Sequence, residues 1–207
     1  MKCIFPIVLL FVFIGQSFGQ ISNCDWKFVA KDDNITTYTC KAEGSAIKRV
    51  KMLAEYKVDF ATLILHLNDV PHYPDWVFKC YESRLVKKSS ETDFFYYMKT
   101  DLPFPLTDRD MVIHSSQWYT DDDLVFHAHA LAADGLVEED EDLVRITFFE
   151  SDWTITDNQN GTVSIEYYVA SDPGGYLPAW LVNLAITKGP LKNMQQLEEY
   201  VMKMSDN

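Results

Sequence analysis

Positive charge is scarce in this sequence: 18 lysines and arginines face 31 acidic residues, a formal net charge of −13 over 207 residues. Such an acidic surface repels phosphate backbones and anionic bilayers, so nucleic acid is excluded as a partner and any membrane contact is expected to be transient or local. Long apolar runs are missing as well. Only Ile4 to Ile14, broken by Pro6, is strongly apolar, and it falls short of the roughly 18 residues needed to cross a bilayer. No Gly-x-Ser-x-Gly, His-Glu-x-x-His or phosphate-binding glycine loop occurs, so no catalytic residues are assigned. The chain has 4 cysteines, and their spacing matches no zinc or redox motif. Internal repeats, low-complexity tracts and linkers are absent too, which leaves one domain.

What is present begins with a processing signal. Lys2, the apolar run and Ser17-Phe18-Gly19 form the positive, hydrophobic and small-x-small regions of a signal peptide over residues 1–19, with cleavage near Gly19. The mature domain, 20–207, is then expected to be exported, secreted or periplasmic. An uncleaved anchor is the alternative. Cys24, Cys40 and Cys80 remain, and an oxidising compartment permits one disulfide among them. Cys24 and Cys40 are nearest in sequence, but the pairing stays open. Asn34-Ile35-Thr36 and Asn160-Gly161-Thr162 are glycosylation acceptors where the host modifies such sites. Aromatic residues make up 14% of the chain, which suits either an aromatic-rich sheet core or a ligand cavity.

Strand patterns dominate. They cover Ile35–Lys41, Val50–Val58, Lys79–Val86, Phe94–Thr100, Arg109–Tyr119, Leu124–Leu131, Leu143–Thr156 and Thr162–Ala170. Glu43-Gly44-Ser45 separates the first two, and Asn160-Gly161 marks a hairpin between the last two. Two short helices are predicted early, at Phe60–Leu67 and Pro71–Val77, the second opened by its proline. Leu177 to Met204 carries apolar residues at steps of three and four, including Trp180, Leu181, Leu184, Met194, Leu197 and Val201, which predicts one long helix with a kink at Gly189-Pro190. The expected fold is α+β: a curved antiparallel sheet wrapped around a long C-terminal helix, a helix grip. Alternation turns Val163, Ile165, Tyr167 and Val169 inward, and the set Arg109, Met111, Ile113 and Ser115 with them.

Four stretches carry a family resemblance. Tyr73-Pro74-Asp75-Trp76-Val77, Pro103-Phe104-Pro105-Leu106-Thr107-Asp108-Arg109-Asp110-Met111-Val112, Trp153, and Asp172-Pro173-Gly174-Gly175-Tyr176-Leu177-Pro178-Ala179-Trp180-Leu181-Val182-Asn183 resemble, in order, the START (StAR-related lipid transfer) domain from about Trp26 to the C-terminus. The resemblance implies a tunnel for one lipid, closed by the C-terminal helix and a neighbouring loop. It also implies that the usual leading helix is short or missing here. The positions aligned with the acid–arginine pair of sterol-binding members are Tyr96 and Ser115, so sterol specificity is not supported. Asp172-Pro173-Gly174-Gly175 is expected to turn the chain sharply into the helix. Pro103-Phe104-Pro105 is expected to stay extended.

On this reading the ligand is a lipid or other hydrophobic molecule. Arg109, Tyr96, Ser115 and Asn183 are the candidates for orienting a headgroup, Arg109 being equally a candidate for a buried ion pair. Trp76, Met111, Phe126, Trp153, Tyr167, Trp180 and Leu184 are the candidates for the apolar wall. A monomer without cofactor or metal is expected. His127 and His129 lie two apart on one strand face with His114 nearby, a weak chelating pattern, and Glu138–Asp142 and Asp121–Asp123 read as solvated charged loops. Two other functional classes remain open: a helix-grip enzyme of cyclase or hydrolase type, and a ligand-sensing interaction module.

Overall fold

The computed structural model describes residues 24–41 and 47–205. The expected leader and the Glu43-Gly44-Ser45 connection lie outside the described residues. Ten strands form one curved sheet: β1 (Lys27–Asp32), β2 (Ile35–Lys41), β3 (Lys48–Tyr56), β4 (Cys80–Lys88), β5 (Asp93–Thr100), β6 (Arg109–Thr120), β7 (Val125–Ala132), β8 (Val144–Arg145), β9 (Phe148–Asp157) and β10 (Val163–Asp172). The strand order is β1-β2-β3-β10-β9-β7-β6-β5-β4, antiparallel throughout, with β8 added in parallel to β6. Helices α1 (Phe60–Leu67) and α2 (Tyr73–Trp76) lie in the crossover from β3 to the far edge strand β4, and α3 (Ala179–Ser205) follows β10. The helix grip expected from the sequence is the observed fold.

Alternation explains which side chains meet the helix. Val163, Ile165, Tyr167 and Val169 of β10 are buried, as are Val50, Met52, Ala54 and Tyr56 of the paired β3. Phe94, Tyr96 and Met98 of β5 point inward too. Their outward neighbours are covered by long charged side chains: Lys87 lies over Phe95 and Arg84 over Tyr97. Asp59 caps α1, its carboxylate accepting from the Thr62 amide at 2.8 Å.

Several expected elements differ. Strand β1 was not predicted, because all six of its residues are exposed and show no alternation. It is held by ladder bonds to β2 and by the Cys24–Cys40 disulfide, which leaves Cys80 as a buried free thiol. The predicted strand Leu143–Thr156 is two strands. Arg145 turns aside to form a two-pronged, nearly buried ion pair with Asp110, both contacts at 2.9 Å. The helix predicted from Pro71 is a single 3₁₀ turn, Val70–His72, followed by the short α2. The stretch at Pro103 is a turn rather than extended chain: the Leu106 amide donates to Pro103 O at 3.1 Å and the Phe104–Pro105 bond is cis. The β9–β10 hairpin forms as expected, yet its positive φ angles fall on Gln159 and Gly161, while the Asn160 side chain accepts from the Thr162 amide.

Helix α3 divides into two halves. Met194, Leu197 and Val201 are completely buried, and this half is tied down by Tyr56, whose hydroxyl donates to Met194 O at 2.7 Å, and by Asn34, which donates to Glu198 at 2.8 Å. The first half buries only Val182 and Ile186, while Trp180 and Leu184, predicted to belong to the buried stripe, are exposed. Part of the reason is a void beneath this half: Leu184 borders it, whereas Ile186 still packs into the core and Trp180 lies outside the void.

Candidate ligand cavity

The void is a cavity of about 520 Å³, within the roughly 300–1,000 Å³ typical of small-molecule sites. Its roof is the first half of α3 through Leu181, Leu184, Ala185 and Lys188. Its floor is the inner face of the sheet: Tyr96 and Met98 of β5, Met111 and Ile113 of β6, Phe149, Ser151 and Trp153 of β9, and Tyr167 of β10. Tyr73 and Trp76 of α2 close one end, and Thr100 to Pro103 after β5 form one lip. The interior is strongly aromatic. Trp153 stacks on Tyr167 with ring centres 4.0 Å apart, and Tyr73 meets Trp76 and Tyr96 edge-on at 5.3 and 5.5 Å.

Of the residues expected to line a cavity, Trp76, Tyr96, Met111, Trp153, Tyr167 and Leu184 border it. Five do not. Phe126 is fully buried in the core, packed against Tyr119. Trp180 points to solvent. Ser115 is buried under Gln117, which donates to it at 3.2 Å. Asn183 accepts from the Lys48 amide at 2.9 Å and so fastens α3 to the start of β3.

Arg109 is the fifth. It is buried on the inner face as the alternation predicts, but its guanidinium serves the backbone: Nε donates to Pro173 O at 2.8 Å, Nη2 to Gly174 O at 3.2 Å, and Nη1 to Thr107 O. It does not border the cavity, and among the described residues it makes no ion pair. The adjacent Asp110 holds a buried one with Arg145, and Tyr97 donates to Asp110 at 3.0 Å. Arg109 instead clamps the Gly174-Gly175 turn, whose φ angles of +67° and +72° suit glycine.

The lining residues overlooked in the sequence were legible from their neighbours. Phe149 and Ser151 share the face of Trp153 at steps of two, and Met98 that of Tyr96. Lys188 and Asn193 carried no such signal.

Polar groups at the cavity fall into two sets. At the rim, Lys79 is ion-paired with Asp101, Lys188 is exposed, and Asn193 accepts from the Phe78 amide at 2.7 Å. Inside are neutral groups only. Burial pushes the phenols of Tyr96 and Tyr167 well above their usual range, so both are protonated at any physiological pH. Burial raises the nearby Cys80 thiol to about 11, which keeps it un-ionised.

The histidines lie on other surfaces and do not converge. His114 contacts Asp93 at 2.9 Å, His127 contacts Thr120 at 3.0 Å, and His129 contacts Asp152 at 2.6 Å. Among the described residues one group has metal-ligand spacing, His129 with Glu150 and Asp152, on the outer sheet face away from the cavity.

A sheet gripping one long helix over an apolar chamber defines the helix-grip class. Within it, the model of the START domain matches residues 19–202, and the chain belongs to that family. An uncharacterized protein of Pseudomonas aeruginosa is 29% identical over 200 residues, 95% of this chain and 98% of that protein. The mouse phosphatidylcholine transfer protein is 25% identical over 175 residues, 82% of this chain and 80% of its own. Among solved structures, a STAR-related lipid transfer protein from Xanthomonas axonopodis superposes with a TM-score of 0.79 at 22% identity, covering 86% of this chain and 98% of that one.

Proposed function

We propose that this protein binds a single lipid, or a comparable hydrophobic molecule, reversibly in the cavity beneath α3 and exchanges it with membranes. The apolar cavity under a half-anchored helix carries the reading. Burying an acyl chain of 16 carbons gains on the order of 13 kcal/mol gross at about 0.8 kcal/mol per CH₂, enough for tight binding without a covalent step. Exchange requires the first half of α3 to lift about the Gly174-Gly175 turn. Phe104, Tyr176 and Trp180 are exposed, and Phe104 and Trp180 adjoin in sequence the lining residues Pro103 and Leu181, so they are the residues offered for brief membrane contact despite the acidic surface. The names of the mouse and Xanthomonas relatives point the same way. A binder is favoured over a catalyst because the lining contains no histidine, and its one carboxylate, Asp101, is paired with Lys79. On the signal-peptide pattern of residues 1–19 the site of action is outside the cytosol, and the protein acts as a monomer.

Native mass spectrometry of the protein after incubation with vesicles of mixed lipid extract tests the reading. One lipid per chain is expected, and a chain that stays empty would sink it. N-terminal sequencing of the exported protein is expected to begin at Gln20.

A further inference from the structure

The cavity contains polar atoms that the protein does not satisfy. Three buried tyrosines outside this set have acceptors: Tyr56 donates to Met194 O at 2.7 Å, Tyr73 to Leu67 O at 2.8 Å, and Tyr97 to Asp110 at 3.0 Å. Tyr96 and Tyr167 are 9% and 6% exposed and line the cavity, yet their hydroxyls have no hydrogen-bond partner among the described residues. Ser151, 3% exposed, stands on the same wall, also without a side-chain partner among the described residues. The indole N–H of Trp76 is enclosed and unpartnered too. Buried polar groups are nearly always hydrogen-bonded, and each one left unmade costs about 1–3 kcal/mol. The Trp76 N–H is the enclosed one, while the Tyr96, Tyr167 and Ser151 hydroxyls open on the chamber, which marks where a ligand's polar atoms can be met.

Their chemistry restricts the ligand. The three hydroxyls can donate as well as accept, so the matching group is an oxygen such as an ester carbonyl or a hydroxyl. No free charge faces it from the interior. Arg109 is spent on three carbonyls, Lys79 is paired with Asp101, and Lys188 lies at the rim. A phosphate or carboxylate drawn this deep would lose its hydration without a counter-charge, whereas an ester carbonyl or hydroxyl would not.

Resting on the lipid-binding reading above, we infer that the ligand is an uncharged amphiphile whose ester or hydroxyl oxygens are held inside the cavity by Tyr96, Tyr167 and Ser151.

The test offers the purified protein vesicles containing equal amounts of monooleoylglycerol, oleate and dioleoylphosphatidylcholine, and reads the bound lipid by native mass spectrometry. Monooleoylglycerol is expected to dominate. Tyr96→Phe and Tyr167→Phe keep the rings and remove the hydroxyls. Each should lower monooleoylglycerol affinity about 3- to 10-fold, and the double variant at least 10-fold. Because these hydroxyls bond no described residue, the variants should melt close to the wild-type temperature. Preference for oleate or for the zwitterionic dioleoylphosphatidylcholine, unchanged monooleoylglycerol binding in the double variant, or a marked drop in melting temperature overturns the inference and leaves lipid binding standing. A wild-type protein that takes up none of the three overturns both. Ser151→Ala is an independent check, expected to weaken monooleoylglycerol binding about 2- to 5-fold.

Discussion

Arg109 shows how a residue can be correctly placed inside and still be misread. Strand alternation puts its side chain on the inner face, and a guanidinium there suggests phosphate. The guanidinium instead accounts for three carbonyls of the turns on either side of it, two of them in the segment leading to α3. Arg109→Leu leaves those acceptors unmade, so it is expected to cost about 2–4 kcal/mol in denaturant unfolding. Lys at this position should recover less than half, because a point charge cannot replace a fork. Selectivity among lipids should change little in the folded fraction.

The outer sheet face makes a separate prediction at the same scale. Asp152 bonds His129 and raises its pKa above 6.5, and burial raises Glu150 above 4.5. Both groups bind protons more tightly when folded. Their contributions are therefore complete at low pH and lost as pH rises, from about 4.5 upward for Glu150 and from about 6.5 upward for His129. The stability advantage of the wild type over His129→Gln, measured by unfolding between pH 6 and 9, should shrink as pH rises.

Among the elements, β1 depends most on covalent help. Its residues are exposed, it lies at a sheet edge, and among the described residues β2 is its one ladder partner. The Cys24–Cys40 link closes a loop of 16 residues, for which chain entropy predicts about 3 kcal/mol. Paired Cys24→Ser and Cys40→Ser substitutions should lower the melting temperature accordingly. Hydrogen exchange should show Lys27–Asp32 losing protection first.

Helix α3 illustrates a different limit on element-level reasoning. Its apolar periodicity predicted a continuous buried stripe, and that holds where Met194, Leu197 and Val201 meet the sheet and α1. Periodicity cannot report that the opposite wall is absent. Where it is absent, Leu184 borders a cavity, and Trp180 outside it faces water.

For the whole molecule, a ligand that binds the folded chain and not the unfolded one stabilises the fold by mass action. A bound lipid at 100 times its dissociation constant should add about 2.7 kcal/mol of stability. A thermal shift on adding lipid vesicles, absent with lipid-free buffer, measures it. The first half of α3 should gain exchange protection at the same time, since it forms the roof.

Periodicity alone determined most of the architecture: the strands, the final helix, the inward set on β10, and the helix grip that follows when a curved sheet meets one long apolar stripe. These are local patterns, and local patterns are written along the chain. The ion pair of Asp110 with Arg145, the clamp made by Arg109 and the break between β8 and β9 were decided by the tertiary structure. Each depends on which residues, far apart in sequence, come within hydrogen-bond distance. The cavity belongs to that second class most fully. A tyrosine in a strand reads the same whether its hydroxyl meets a carbonyl, as Tyr56 does, or an empty space, as Tyr96 and Tyr167 do. Only the packing of all the walls together leaves that space open.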